Sequence, residues 1–357
     1  MNNVLIPTPD AIPVAWGWFQ FLLLLTFPVH LLAMNAMVGG LGIGISQHIL
    51  GGRERKKLAH RIAVALPLVI AFVVNFGVAP LLFLQVLYGQ FAYTSSILMG
   101  AFWIMVIPLL IIGYYGAYLY DFRFSSLGKG GILIASVVFL ILLVIGYFFS
   151  NNMLLMTLPE TFSSYFDHMN GTVLVSGNRQ FLPRYLHMVF GALAVGGLFV
   201  ALLGRFKRTE DEVLAAHASS VGMKVFSWFT CINAAVGIWY LLMIDRPTML
   251  LFMGGNLVAT ICFAVSLLLT IHVIIAGFRK KLWSALGGVV VLVYLMSFLR
   301  AWIRSDYLRE FFTLGQLEVI PEYSPMIFFF VVLLLGLWCI GWMLKLTTSA
   351  LQDPADS

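Results

Sequence analysis

Phe181-Leu-Pro-Arg-Tyr-Leu-His187-Met-Val-Phe-Gly-Ala-Leu-Ala-Val-Gly-Gly-Leu-Phe-Val-Ala-Leu-Leu-Gly-Arg205 is the stretch from which the rest of the chain can be read. Between Arg184 and Arg205 it carries no charged residue, and roughly 20 apolar residues are enough for a helix to cross a bilayer. Pro183 suits the first turn of such a helix, where its missing N–H is not needed. Gly191, Gly196 and Gly197 leave a thin side that a flat ring or another helix can approach. His187 sits about one turn inside the helix. An imidazole in hydrocarbon is costly unless something uses it, and haem iron is a common user. The plainer reading is a histidine bonded to a neighbouring helix or to headgroup water.

The composition extends this reading to the whole chain. Of its 357 residues, 61% are hydrophobic and 10% charged, and the mean hydropathy is +0.98. Soluble domains do not have this composition, so a polytopic membrane protein is expected. The net charge of +6 then records orientation and gives no reason to expect nucleic acid as a partner. Cys231, Cys262 and Cys339 lie in apolar runs and suit packing, and the absence of C-x-x-C-H excludes a c-type haem attachment. A cleavable signal peptide is not expected, because the N-terminus lacks a basic stretch and its first apolar run continues into a full span.

Apolar runs fall at about 16–47, 61–93, 97–120, 131–157, 182–204, 218–244, 248–277, 282–303 and 325–347. This predicts an all-α bundle of nine transmembrane helices, one membrane-embedded domain over 1–357, with no clear internal repeat. Arg53, Arg55, Lys56, Lys57 and Arg61 follow the first run, Arg123 and Lys129 the third, Arg205, Lys207 and Arg208 the fifth, and Arg279, Lys280 and Lys281 the seventh. The alternate loops carry acids such as Glu160, Asp167, Asp245 and Asp306. The positive-inside rule therefore predicts an outer N-terminus and a cytoplasmic C-terminus. The longer outer loops, 158–181 and 304–324, have room for a lid or a docking surface.

Among seven histidines, His48, His60, His217 and His272 fall near cytoplasmic helix ends and His168 in an outer loop. His30 and His187 remain. His30 lies some 14 residues into the first run, which at about 1.5 Å per residue is roughly mid-membrane; the alternative is a satisfied core histidine. Met249 and Met253 open the seventh run from the same side as His187, at a similar depth. His/Met ligation would make a six-coordinate, low-spin electron-transfer haem. Arg184, Arg300, Arg304 and Arg309 gather at the outer face, suited either to propionates or to the headgroup layer. No Asp or Glu lies well inside any run, whereas proton pumps usually need intramembrane acids.

In the same order along the chain, three segments resemble subunit I of the cytochrome bd quinol oxidase family. Leu25-Thr-Phe-Pro-Val-His30, with Gly39 nine positions on, resembles the family's first helix, whose histidine serves a high-spin haem. Asn75-Phe76-Gly77-Val78 resembles its N-F-A-L-G-V segment. Arg184-Tyr-Leu-His187, followed by small residues, resembles its K-F-V-H helix, whose histidine pairs with a methionine on helix seven to bind low-spin haem b. Met253 is the counterpart of that methionine, with Met249 in reserve. Trp302, Asp306 and Arg309 resemble the outer-face W-x-x-x-E-x-x-R pattern. The resemblance implies His187, Met253 and His30 as iron ligands, with Arg184, Arg304, Arg309 and Asp306 around the cofactors. It also implies a prokaryotic inner-membrane location, a quinol substrate, and as partner a second membrane subunit or a periplasmic cytochrome c.

The chain departs from the family in three places. Only Ile244-Asp245-Arg246-Pro247 stands where the family has its long quinol-binding loop. The run 97–120 has none of the two carboxylates of the family's third helix, and Leu299 occupies the position of its glutamate haem ligand. The expectation is therefore a haem-b subunit that carries electrons between the quinol pool and a partner. A true oxygen-reducing terminal oxidase and a haem-free scaffold are the alternatives.

Overall fold

The computed structural model describes residues 5–206 and 211–352; Lys207 and Arg208, used above for orientation, lie outside them. Among the described residues nine helices are long and apolar enough to cross a membrane. They are α1 (Trp16–Leu50), α2 (Arg53–Leu98), α3 (Gly100–Phe122), α5 (Lys129–Leu155), α6 (Phe181–Phe206), α7 (Glu212–Met243), α9 (Leu257–Phe278), α10 (Leu282–Leu308) and α11 (Tyr323–Gln352). Two short helices, α4 (Phe124–Leu127) and α8 (Arg246–Leu250), lie between them. The only β pairing among the described residues is an isolated bridge between Ile12 and Val319. Even the best-packed span, α6, buries only 39% of its most apolar window inside the chain. The remaining apolar surface needs lipid, so the chain is an all-α, multi-pass membrane protein.

The spans form two rings of four. In the first, α1 packs on α2, α2 on α3, α3 on α5, and α5 closes on α1. In the second, α6, α7, α9 and α10 repeat that cycle. The rings join along α1 and α6, while α11 stands outside with its residues exposed and touches α1 through Phe330 against Trp18, ring centroids 6.0 Å apart. The two rings share one contact pattern. The sequence likeness between them is short: His30 followed by Val38-Gly39-Gly40-Leu41, and His187 followed at the same spacing by Val195-Gly196-Gly197-Leu198.

Those glycines make the joint. A Cβ on Gly39 would stand 2.0 Å from the Ala192 carbonyl oxygen, and one on Gly196 would stand 2.3 Å from the Gly39 carbonyl carbon. The two backbones touch, and with four spans from the start of α1 to the start of α6 the two helices run in the same direction.

Two predicted runs end differently in the structure. The second extends to Leu98 through a kink at Tyr88 (φ −137°, ψ 34°). The seventh is broken: α8 passes into a π-helical turn, Leu251–Gly255, where Gly254 has φ 108°. Asn256 then restarts the helix by accepting from the Ala259 N–H. Gly254-Gly255-Asn256 is thus a stop followed by an N-cap.

At the basic end, Asp211 caps α7 by accepting the Leu214 N–H at 2.9 Å and pairs with Lys57 of α2 at 2.9 Å. The backbone N–H groups, with Lys57, hold its carboxyl below the ordinary carboxylate range. The stabilisation it gives is therefore complete above that range and lost as the pH falls through its lowered value. Asp211→Asn keeps a capping oxygen but not the charge. The melting temperature of this variant in detergent should fall less steeply than that of wild type as the pH drops below about 4. At the opposite end, the lead-in pairs with the 309–322 connection through Ile12 N–H to Glu318 O and Ile320 N–H to Ile12 O. Phe162, Phe312 and Leu317 are buried there, so both connections at this end are packed down on the bundle.

Candidate functional site

In a helix each carbonyl points along the axis toward the residue four positions on, whose side chain lines the approach. The structure uses this twice. His30 of α1 donates Nδ1–H to the Val73 carbonyl of α2 at 3.0 Å, and the residue four positions beyond Val73 is Gly77. A Cβ on Gly77 would lie 2.8 Å from His30 Cε1, so only glycine admits the ring. His187 of α6 donates Nδ1–H to the Asn233 carbonyl of α7 at 3.2 Å, and the residue four beyond Asn233 is Gly237. A Cβ there would lie 3.0 Å from His187 Cε1.

A carbonyl can only accept, so in both neutral rings the proton is on Nδ1 and the lone pair on Nε2. Neither Nε2 has a hydrogen-bond partner among the described residues. This tautomer, fixed by a backbone carbonyl, is the one in which a histidine ligates a metal. Among the described residues no cluster of three or more His, Cys, Asp or Glu could hold a bare ion. A haem brings its own equatorial ligands and needs only an axial histidine, so single open imidazoles suit it.

His30 and His187 each stand nine residues before the touching glycines Gly39 and Gly196, so the two imidazoles are equally spaced from the crossing of α1 and α6.

Met253 is not on a regular helix. It lies in the broken turn before α9, with φ −119° and ψ 34°, and is 51% exposed. α9 packs on α7 and α10 and so lies across the second ring from α6. Met253 thus lies at the start of the helix across the ring from the one that carries His187. Met249 lies just before, in α8. Asp306 accepts from Thr248 Oγ1 at 2.7 Å and so anchors the methionine-bearing segment to α10. Arg309 is exposed and stands 3.9 Å from Asp306.

Arg304 is 9% exposed, lies over the Tyr88 ring at 4.6 Å, and leaves its buried Nε without a partner. Arg300, on the same helix, lies over Phe27 at 4.9 Å and feels the charges of both Arg184 and Arg304. Among the described residues none of these three has an ion-pair partner. Three neighbouring guanidinium groups without a carboxylate, one with an orphan donor, make a place for an anionic group. Such a set fits the propionates of a haem. The glycine seats and the carbonyl partners were not foreseen; the glycines at Gly77 and Gly237 were the only signal in the sequence.

No protein-family model matches this chain, and no curated protein does.

Proposed function

We propose that this chain is a haem-b-carrying membrane subunit of cytochrome bd type, passing electrons between the quinol pool and a partner subunit or an outer-face cytochrome c. The observation that carries the reading is the duplicated histidine seat, with an open Nε2 in each ring. A bound haem would supply the one-electron redox chemistry. The chain's own part is to orient and to neutralise. Val73 O and Asn233 O fix the two rings, Gly77 and Gly237 give them room, and Arg184, Arg300 and Arg304 offer positive charge at the outer end. Asp306 and Thr248 steady the segment bearing Met253, which would help His187 to hold the haem.

Electron transfer is favoured over oxygen reduction because α3 carries no acid before Asp121, near its end. The short connection after α7 is also already engaged, Asp245 pairing with Arg179 and donating its N–H to Tyr307 Oη at 3.1 Å. The test is a reduced-minus-oxidised spectrum of the purified chain together with a haem count. Haem absent from a folded, purified chain would leave the scaffold reading in its place. Rapid quinol-dependent oxygen uptake by the chain alone would establish the oxidase.

In the first ring Met99 stands between α2 and α3 with φ −111° and ψ 31°, much as Met253 stands before α9, but it is fully buried. The resemblance of the His30 segment to the family's high-spin site implies that a haem held there would be open to small ligands. Carbon monoxide should perturb the reduced wild-type spectrum, and His30→Ala should lose that response.

A further inference from the structure

The shared contact pattern leaves one position filled in the first ring and, among the described residues, unfilled in the second. In the first ring, at the basic end, Phe124 of α4 is stacked between His48 of α1 and His60 of α2, with both centroid separations 4.7 Å. The connection from α3 to α5 thus plugs the gap between the end of α1 and the start of α2. In the second ring the connection from α9 to α10 is only Arg279-Lys280-Lys281 and supplies no plug. A cleft of about 550 Å³ lies there, bounded by the end of α6, the start of α7 and the start of α10. Arg205, on its wall, stands nine residues beyond Gly196, as His48 stands nine beyond Gly39.

The cleft is built for an anionic amphiphile. Arg205, Lys280 and Lys281 line it with the hydroxyl residues Ser219 and Ser284, and Trp283 lies at its edge, 60% exposed. Among the described lining residues the one acid is Glu212, which has an interaction of its own, whereas the three cations have no ion-pair partner among the described residues. Lys280 is the only non-glycine residue among those described with positive φ, at 54°. It ends α9 by donating its N–H to Gly277 O, while Lys281 donates to Ala276 O. Glycine is the residue that fits this left-handed position without strain, so the chain keeps a lysine where a neutral residue would fold better.

We propose that this cleft binds one anionic phospholipid from the leaflet at the basic end, its phosphate among Arg205, Lys280 and Lys281 and its glycerol and upper chains beside Trp283. Basic pockets between membrane helices recognise headgroups in this way, and an interfacial tryptophan marks the headgroup level. The lipid takes in the second ring the place that Phe124 takes in the first.

The test uses the full chain in nanodiscs of phosphatidylcholine alone and of phosphatidylcholine doped with phosphatidylglycerol, with bound lipid counted by native mass spectrometry. Wild type should retain one phosphatidylglycerol in preference to phosphatidylcholine. Retention should weaken about fivefold for each charge removed in Arg205→Gln, Lys280→Gly and Lys281→Gln. Lys280→Gly also separates binding from folding, since its melting temperature in phosphatidylcholine should be no lower than that of wild type. Equal retention of the two lipids by wild type, or unchanged retention by the triple variant, would overturn the proposal. So would inorganic phosphate displacing phosphatidylglycerol at matched ionic strength, because the cleft would then be a site for a soluble anion.

Discussion

His187→Ala is expected to abolish the sharp reduced band of the low-spin haem and leave the bundle folded. The ring makes one hydrogen bond, to Asn233 O, and its seat is a glycine on α7. Losing that bond costs about 1 kcal/mol, which a bundle with this much interhelical contact tolerates. The open Nε2, by contrast, has no substitute in alanine. Gly237→Val gives a second route to the same outcome with the histidine still present, because the new Cβ, 3.0 Å from Cε1, would push the ring from its carbonyl. Met253→Leu should keep a haem but lower its potential or turn it high-spin, since thioether ligation raises potential. Visible spectra and redox titration of the three variants check this. An unchanged spectrum in His187→Ala would remove His187 from the site.

The largest structural effect is expected at the crossing of the two rings. Gly196→Ala places a methyl 2.3 Å from the Gly39 carbonyl carbon, against backbone that no rotamer change can move aside. Overpacking costs roughly 1–3 kcal/mol and more where nothing can yield. Gly196→Leu should therefore prevent the two rings from closing. Gly287→Ala supplies the contrast: it lies within α10 with nothing inside 4 Å of its Cβ position, and the change should be neutral or stabilise by up to about 1 kcal/mol. Melting in detergent, followed by circular dichroism, should separate the variants. Equal stability of Gly196→Ala and Gly287→Ala would mean that the α1–α6 contact does not hold the rings together.

How far the sequence could be read differs by feature. The nine spans were legible because uninterrupted apolar runs have few other uses. The break before α9 was signalled by Gly254-Gly255-Asn256, but hydropathy is blind to caps and joined the two pieces. The kink at Tyr88 has no proline or glycine at the residue itself and left no such mark. His30 and His187 were legible as candidates because membrane imidazoles are rare, whereas the atoms that orient them are backbone carbonyls, which no residue type encodes. The likeness of the two rings was hidden because lipid-facing residues are interchangeable among Leu, Ile, Val and Phe. What matches is the histidine and the short Val-Gly-Gly-Leu stretch at the crossing. The arginines were visible, but their lack of carboxylate partners is a fact of packing.

The equal spacing of His30 and His187 from the crossing of α1 and α6 bears on energy conversion. Moving an elementary charge through a full membrane potential involves about 2.3 kcal/mol per 100 mV. If the two histidines hold redox groups as proposed, an electron exchanged between them would travel mainly across the bundle and do little work against the field.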